Sequence, residues 1–203
     1  MELKTSDGMK IAATYYKSDN DAKEAIILLH MLNRNRNDWN DFARKLQPNY
    51  EVIAVDFRGH GDSGGDLNAF TAEDFQKFML DVKAAREFLS NRGKKTYALI
   101  GGSIGANIAL NFAVENDIGR VVLLSPGLDY RGVETGTSAH KYFGKALLVA
   151  SEDDSYAADS TRKLFDMMLA KKQIKIYRTA GHGTKMFAST DLNELIIGWL
   201  KGP

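Results

Sequence analysis

Apolar runs of four to six residues alternate with segments in which apolar positions recur every three or four residues, and this alternation sets the expected fold. Residues 25–29, 51–55, 96–100, 120–124, 145–150 and 174–178 read as strands. Most are apolar at nearly every position, which suits strands buried on both faces. Residues 38–46, 104–115, 156–171 and 191–200 read as helices. The longest helix is predicted to start at Thr71, with Asp74 three residues on completing a capping pattern. Phe75, Phe78, Met79, Val82, Ala85 and Phe88 then mark its buried face, a core stripe and not a cofactor box. At the amino end, residues 2–5 and 9–16 flank Ser6-Asp7-Gly8 and read as a β-hairpin. Counting the hairpin, eight strands alternate with helices. The expectation is an α/β fold with a mostly parallel eight-stranded sheet and helices on both faces. With no internal repeat, low-complexity tract or linker, residues 1–203 are expected to form a single domain.

Composition narrows the chemistry. Acids and bases nearly cancel, to a formal charge of +1, so electrostatics offers no argument for nucleic acid, and no apolar run is long enough for membrane insertion. The absence of cysteine removes disulfides, cysteine nucleophiles and thiolate metal sites. No signal peptide is visible, so a cytoplasmic location is expected. Small-molecule chemistry is the default.

The candidate chemistry centres on Gly101-Gly102-Ser103-Ile104-Gly105, which follows one strand-like run and opens a helix-like one. A G-x-S-x-G turn between strand and helix strains the serine backbone and exposes its Oγ. A serine hydroxyl needs a histidine to take its proton and an acid to orient that histidine. Of the four histidines, His30 and His60 precede the serine and His140 lies in a polar segment. His182, in Ala180-Gly181-His182-Gly183 after the last strand, is the predicted base. The acid is expected at the end of the 145–150 strand, where Ser151-Glu152-Asp153-Asp154 follows. Asp154 is the choice and Asp153 the alternate, while Asp129 reads better as a turn residue.

The order Ser103, Asp154, His182 resembles that of the α/β-hydrolases. Residues 26–32 are similar to the strand and oxyanion loop of that superfamily, and Asp56-Phe57-Arg58-Gly59-His60-Gly61-Asp62-Ser63 resembles its D-x-R-G-H-G-x-S turn. The likeness extends over nearly the whole chain and looks nearest to small bacterial esterases and dienelactone-hydrolase-like members. It implies an oxyanion hole from the N–H groups of Ile104 and Leu32, with Met31 as the alternate to Leu32 because many relatives carry glycine there. It also implies structural roles for His30 and His60, a small-molecule ester substrate cleaved by a serine carboxylesterase-like mechanism, and no metal or organic cofactor.

Residues 125–144, where many relatives insert a lid, are short, polar and glycine-containing, with only Leu128, Tyr130 and Val133 scattered among them. A minimal or absent lid and an open pocket for short or medium acyl groups are expected. Arg34 and Arg36 read as a solvated rim, with attraction of a carboxylate-bearing substrate as the alternative.

Overall fold

The computed structural model describes residues 1–202. Its strands are β1 (Glu2–Lys4), β2 (Lys10–Tyr16), β3 (Glu24–Leu29), β4 (Glu51–Val55), β5 (Lys95–Gly102), β6 (Arg120–Leu124), β7 (Asp129–Tyr130), β8 (Val133–Glu134), β9 (Lys145–Ser151) and β10 (Lys171–Tyr177). Its helices are α1 (Asn40–Leu46), α2 (Ala72–Gln76), α3 (Phe78–Ser90), α4 (Ile104–Glu115), α5 (Gly136–Lys141), α6 (Ser155–Met167) and α7 (Leu192–Lys201). Eight strands form one sheet in the order β1-β2-β4-β3-β5-β6-β9-β10, and β7 pairs only with β8. The hairpin β1–β2 and the β2–β4 pair are antiparallel; every pairing from β4 to β10 is parallel. This is the α/β-hydrolase fold, with the mostly parallel eight-stranded sheet that the pattern of runs implied.

Continuous apolar strands make sense here because each feeds two cores. Ile27, Leu29, Leu99, Val121 and Leu148 point to one face, where they meet Phe78 and Val82 of α3, Ile108 and Phe112 of α4, and Leu164 of α6. Their neighbours Ile26, Leu28, Ile100, Val122 and Val149 point to the other, against Phe42 and Leu46 of α1 and Ile196 and Leu200 of α7. Side chains alternate across a strand, so a sheet covered on both sides needs no polar positions.

Two helices differ from the sequence reading. The helix predicted from Thr71 is two helices meeting at Lys77, with the Thr71–Asp74 capping box intact on the first. The break lets Phe70, Phe75 and Phe78 pack edge to face, which an unbroken apolar stripe does not disclose. The helix expected to reach residue 171 stops at Met167, and β10 starts at Lys171 instead of residue 174. As an edge strand β10 pairs only with β9, so Lys171 and Lys175 project to solvent and the apolar signature fades.

All parallel strands point their carboxyl ends to one edge of the sheet. Strand order reverses between β3 and β5, since β4 lies outside β3 and β6 beyond β5. Such a reversal leaves a crevice at the carboxyl ends of the flanking strands, where α/β proteins bind ligands.

Candidate active site

The turn after β5 sits at that crevice. Ser103 adopts φ 54 and ψ −124, a positive φ for a residue with a side chain, and its Ile104 neighbour opens α4. Both flanking glycines are sterically required. A Cβ on Gly101 would stand 2.1 Å from the Gly105 carbonyl oxygen, and one on Gly105 would stand 2.5 Å from the carbonyl oxygens of both Leu29 and His30. Strand, turn and helix are therefore pressed together, with the Ser103 N–H tied to Leu124 O at 2.8 Å. Ser103 retains only 6% of its surface.

After β9 the chain turns through residues 152–154 and enters α6, whose N-cap is Asp154. After β10 it reaches His182, between Gly181 (φ 77) and Gly183 (φ 56). The two meet: His182 Nδ1 lies 2.5 Å from Asp154 Oδ2. Asp153 turns elsewhere. It accepts the N–H groups of Ala180 and Gly181 at 3.2–3.3 Å and the Ser151 hydroxyl, and that hydroxyl contact holds its carboxyl below the ordinary range. Of the two candidate acids, one meets the ring and the other fixes the backbone beneath it. Asp129 caps the β7–β8 turn, accepting Gly132 N–H at 2.7 Å, and lies outside the constellation.

The loop carrying His182 reaches the serine turn through its backbone. Gly183 approaches Gly102 closely enough that a Cβ on it would lie 3.8 Å from the Gly102 Cα and 2.3 Å from the Met31 Sδ. The Gly183 N–H donates to Ser125 Oγ at 2.9 Å, and Thr184 Oγ1 donates to Asp38 Oδ2 at 3.2 Å. Between His182 and Ser103 themselves no hydrogen bond forms among the described residues. Such a contact commonly tightens only when substrate is bound.

Ile104 is the first residue of α4, and first-turn N–H groups have no partner within a helix. In the loop after β3, Met31 O accepts Arg34 N–H at 3.2 Å in a tight turn whose left-handed residue is Asn33 (φ 57), so Met31 escapes the backbone geometry that favours glycine. The N–H groups of Met31 and Leu32 both lack a backbone partner among the described residues. His30 sets this loop from below. Its Nε2 accepts Phe57 N–H at 2.9 Å, so Nδ1 carries the proton and donates to Met31 O at 2.7 Å. Burial pushes the His30 pKa down to about 4 and also lowers that of His60, whose Nδ1 meets Arg58 O at 3.0 Å.

The residues of the D-x-R-G-H-G-x-S turn are structural. Buried Asp56 accepts from Arg36 N–H, the Arg36 guanidinium and Asp62 N–H, and Arg58 pairs with Asp81 and Asp7. The rim reading of Arg36 is therefore corrected: its guanidinium is spent on Asp56, Asp62 and Thr14. Arg34 remains half exposed, with two hydrogen bonds to Asp38. The Arg36 guanidinium is thus not free to receive a substrate carboxylate.

Two residues at the site carried no sequence signal. Ser125, with φ 49 at the end of β6, accepts Gly183 N–H on its Oγ and the Tyr130 hydroxyl on its carbonyl at 3.2 Å. Its position at a carboxyl strand end was the available clue. Tyr130 comes from the β7–β8 hairpin. Its ring centroid is 6.3 Å from that of His182, nearly perpendicular. Burial and the nearby Asp154 carboxylate push the phenol pKa up, so it stays neutral. Residues 125–144 thus fold into a small hairpin and the short helix α5, and the hairpin sets Tyr130 beside His182. Among the described residues no helix is long and apolar enough to cross a membrane.

The comparisons with known proteins agree with this architecture. Residues 20–147 match the family described as serine aminopeptidase, S33, a span holding Ser103 but neither Asp154 nor His182. A 2-hydroxy-6-oxo-6-phenylhexa-2,4-dienoate hydrolase of Comamonas testosteroni is 29% identical over 110 residues, which is 51% of this chain and 37% of that protein. The chain thus spans little more than a third of that relative's length. Among solved structures, the Pyrococcus furiosus esterase Pf2001 superposes with a TM-score of 0.82 at 20% identity, over 99% of this chain and 90% of that one. Est816, described as an N-acyl homoserine lactone degrading enzyme, does so with a TM-score of 0.81 at 17% identity, over 98% and 100%. At these identities the superpositions speak for the fold. Together with the match to more than half of the sequence, they place the chain plainly: it belongs to the α/β-hydrolase family described as serine aminopeptidase, S33.

Proposed function

We propose that this chain is a serine hydrolase that cleaves carboxylic esters of small, soluble, short- to medium-chain substrates through an acyl-enzyme, with the whole chain acting as one catalytic domain. The observation that carries the reading is the 2.5 Å approach of His182 Nδ1 to Asp154 Oδ2 at the strand edge where Ser103 occupies its strained turn. In this reading Asp154 accepts the Nδ1 proton and fixes the tautomer, leaving Nε2 to take the Ser103 proton during attack. The N–H of Ile104, with that of Leu32 or Met31, stabilises the developing oxyanion, a contribution of roughly 2.7–4 kcal/mol per donor. His182 returns its proton to the leaving alcohol, and water then repeats the sequence on the acyl-enzyme. The chemistry requires no metal or organic cofactor.

Support for esters comes from the esterase that shares the fold, and support for small acyl groups from the shortness of the 125–144 segment, whose Tyr130 stands beside His182. The family description and Est816 make amides and lactones the necessary comparison substrates, alongside thioesters. The test pairs fluorophosphonate labelling with a panel of these substrates. Wild-type protein should label at Ser103 and turn over short nitrophenyl esters, whereas Ser103→Ala should lose both while unfolding like the wild type. Wild-type rates in that variant would end the assignment. A serine inert to the label would instead favour a ligand-binding protein on the same fold.

A further inference from the structure

The geometry points to Tyr130 as a specificity-determining residue: its ring is the fixed wall that limits the size of the acyl group carried on Ser103. This rests on the ester-hydrolase reading, because the acyl group is the part of the substrate that becomes bonded to Ser103 Oγ. A ring held rigidly at this site bounds the room that the acyl carbon chain can occupy. Ser103 is 6% exposed, and the Tyr130 ring stands beside the imidazole that serves it, its centroid 6.3 Å from that of His182 and the two planes nearly perpendicular.

A wall selects only if it does not yield, and Tyr130 is braced by three contacts. Its hydroxyl donates to Ser125 O at 3.2 Å. Its ring lies directly on Gly127, where a Cβ would stand 2.6 Å from the Tyr130 Cε2. The Tyr156 ring meets it edge to face with centroids 5.6 Å apart. Tyr156 in turn clasps the hairpin, donating its hydroxyl to Asp129 O at 2.8 Å and accepting Asp129 N–H at 3.1 Å. The His182 ring stands 6.3 Å away, centroid to centroid. The selecting element is the ring and not the hydroxyl, since the phenol proton already has an acceptor on the protein.

The experiment measures kcat/KM for nitrophenyl acetate, butyrate and octanoate in wild type, Tyr130→Ala, Tyr130→Leu and Tyr130→Phe, with fluorophosphonate labelling and thermal melting of each. Removing the ring should raise the octanoate-to-acetate ratio by about tenfold or more, the scale on which a few methylenes are discriminated. Tyr130→Phe should leave that ratio unchanged. Tyr130→Leu keeps apolar contact with Gly127 and answers the question if the alanine variant fails to fold. An unchanged ratio in both smaller variants, with labelling intact, overturns the wall while leaving the serine hydrolase standing. A shift in Tyr130→Phe as large as in Tyr130→Ala also overturns it, by transferring the effect to the hydroxyl. A wild-type protein that neither labels nor hydrolyses any ester removes both readings together.

Discussion

Acid should loosen this protein through one buried ring. His30 is fully enclosed and makes two hydrogen bonds, one donated to Met31 O and one accepted from Phe57 N–H, and the second requires the neutral form. Burial lowers its pKa from 6.5 to about 4. The unfolded chain therefore binds the extra proton between these values, and stability rises with pH across that window. The contribution is complete above about pH 6.5 and is lost as pH falls toward about 4. At about 1.4 kcal/mol per pH unit the whole effect is roughly 3 kcal/mol, of which about 2 kcal/mol falls between pH 8 and pH 5. Carboxylates also titrate at low pH, so the measurement compares wild type with His30→Gln, which preserves an acceptor and a donor but cannot ionise. Urea unfolding at the two pH values should find the variant less stable at pH 8 and the difference smaller by about 2 kcal/mol at pH 5. A difference that is the same at both pH values would refute the argument that His30 is buried neutral and protonated on unfolding.

Other outcomes follow from the same geometry. Asp154→Asn should lower kcat for nitrophenyl acetate by about three to four orders of magnitude, because the ring loses its tautomer-fixing partner, whereas Asp153→Asn should cost far less; equal losses would mean that the 2.5 Å contact does not define the acid. Gly105→Ala forces a Cβ to 2.5 Å from two backbone carbonyls and should destabilise the fold by at least about 3 kcal/mol in urea titration. Gly119→Ala, with nothing within 4 Å of its Cβ, serves as the neutral control, and similar stability in both variants would contradict the packing described.

The parts of this molecule legible in the sequence are those with a repeating or sterically compulsory signature. Strands buried on both faces are apolar throughout, so 25–29 and 120–124 announced themselves within a residue. The Gly101 and Gly105 positions tolerate no side chain, which is why the serine turn was readable. Edge strand β10 was placed three residues late because only one neighbour constrains its composition. Consecutive carboxylates at 153 and 154 were indistinguishable because direction depends on a two-residue turn, and both turned out to serve the His182 loop. Tyr130 stood out only as one scattered apolar residue of 125–144: a lone aromatic in a polar hairpin has no period, and its place beside His182 arises from the fold of β7 and β8.

His182 stands between two residues with positive φ, in a segment that would be among the loosest of the unfolded chain. In the native state it is fastened to the end of β9 through Ser151 and Asp153, to the end of β6 through Ser125, and to the stretch after β3 through Thr184 and Asp38. The entropy lost in immobilising it is therefore settled once, when the polypeptide folds. Under the proposed mechanism each arriving molecule meets an imidazole already held against Asp154, and only its short approach to Ser103 is left to each encounter.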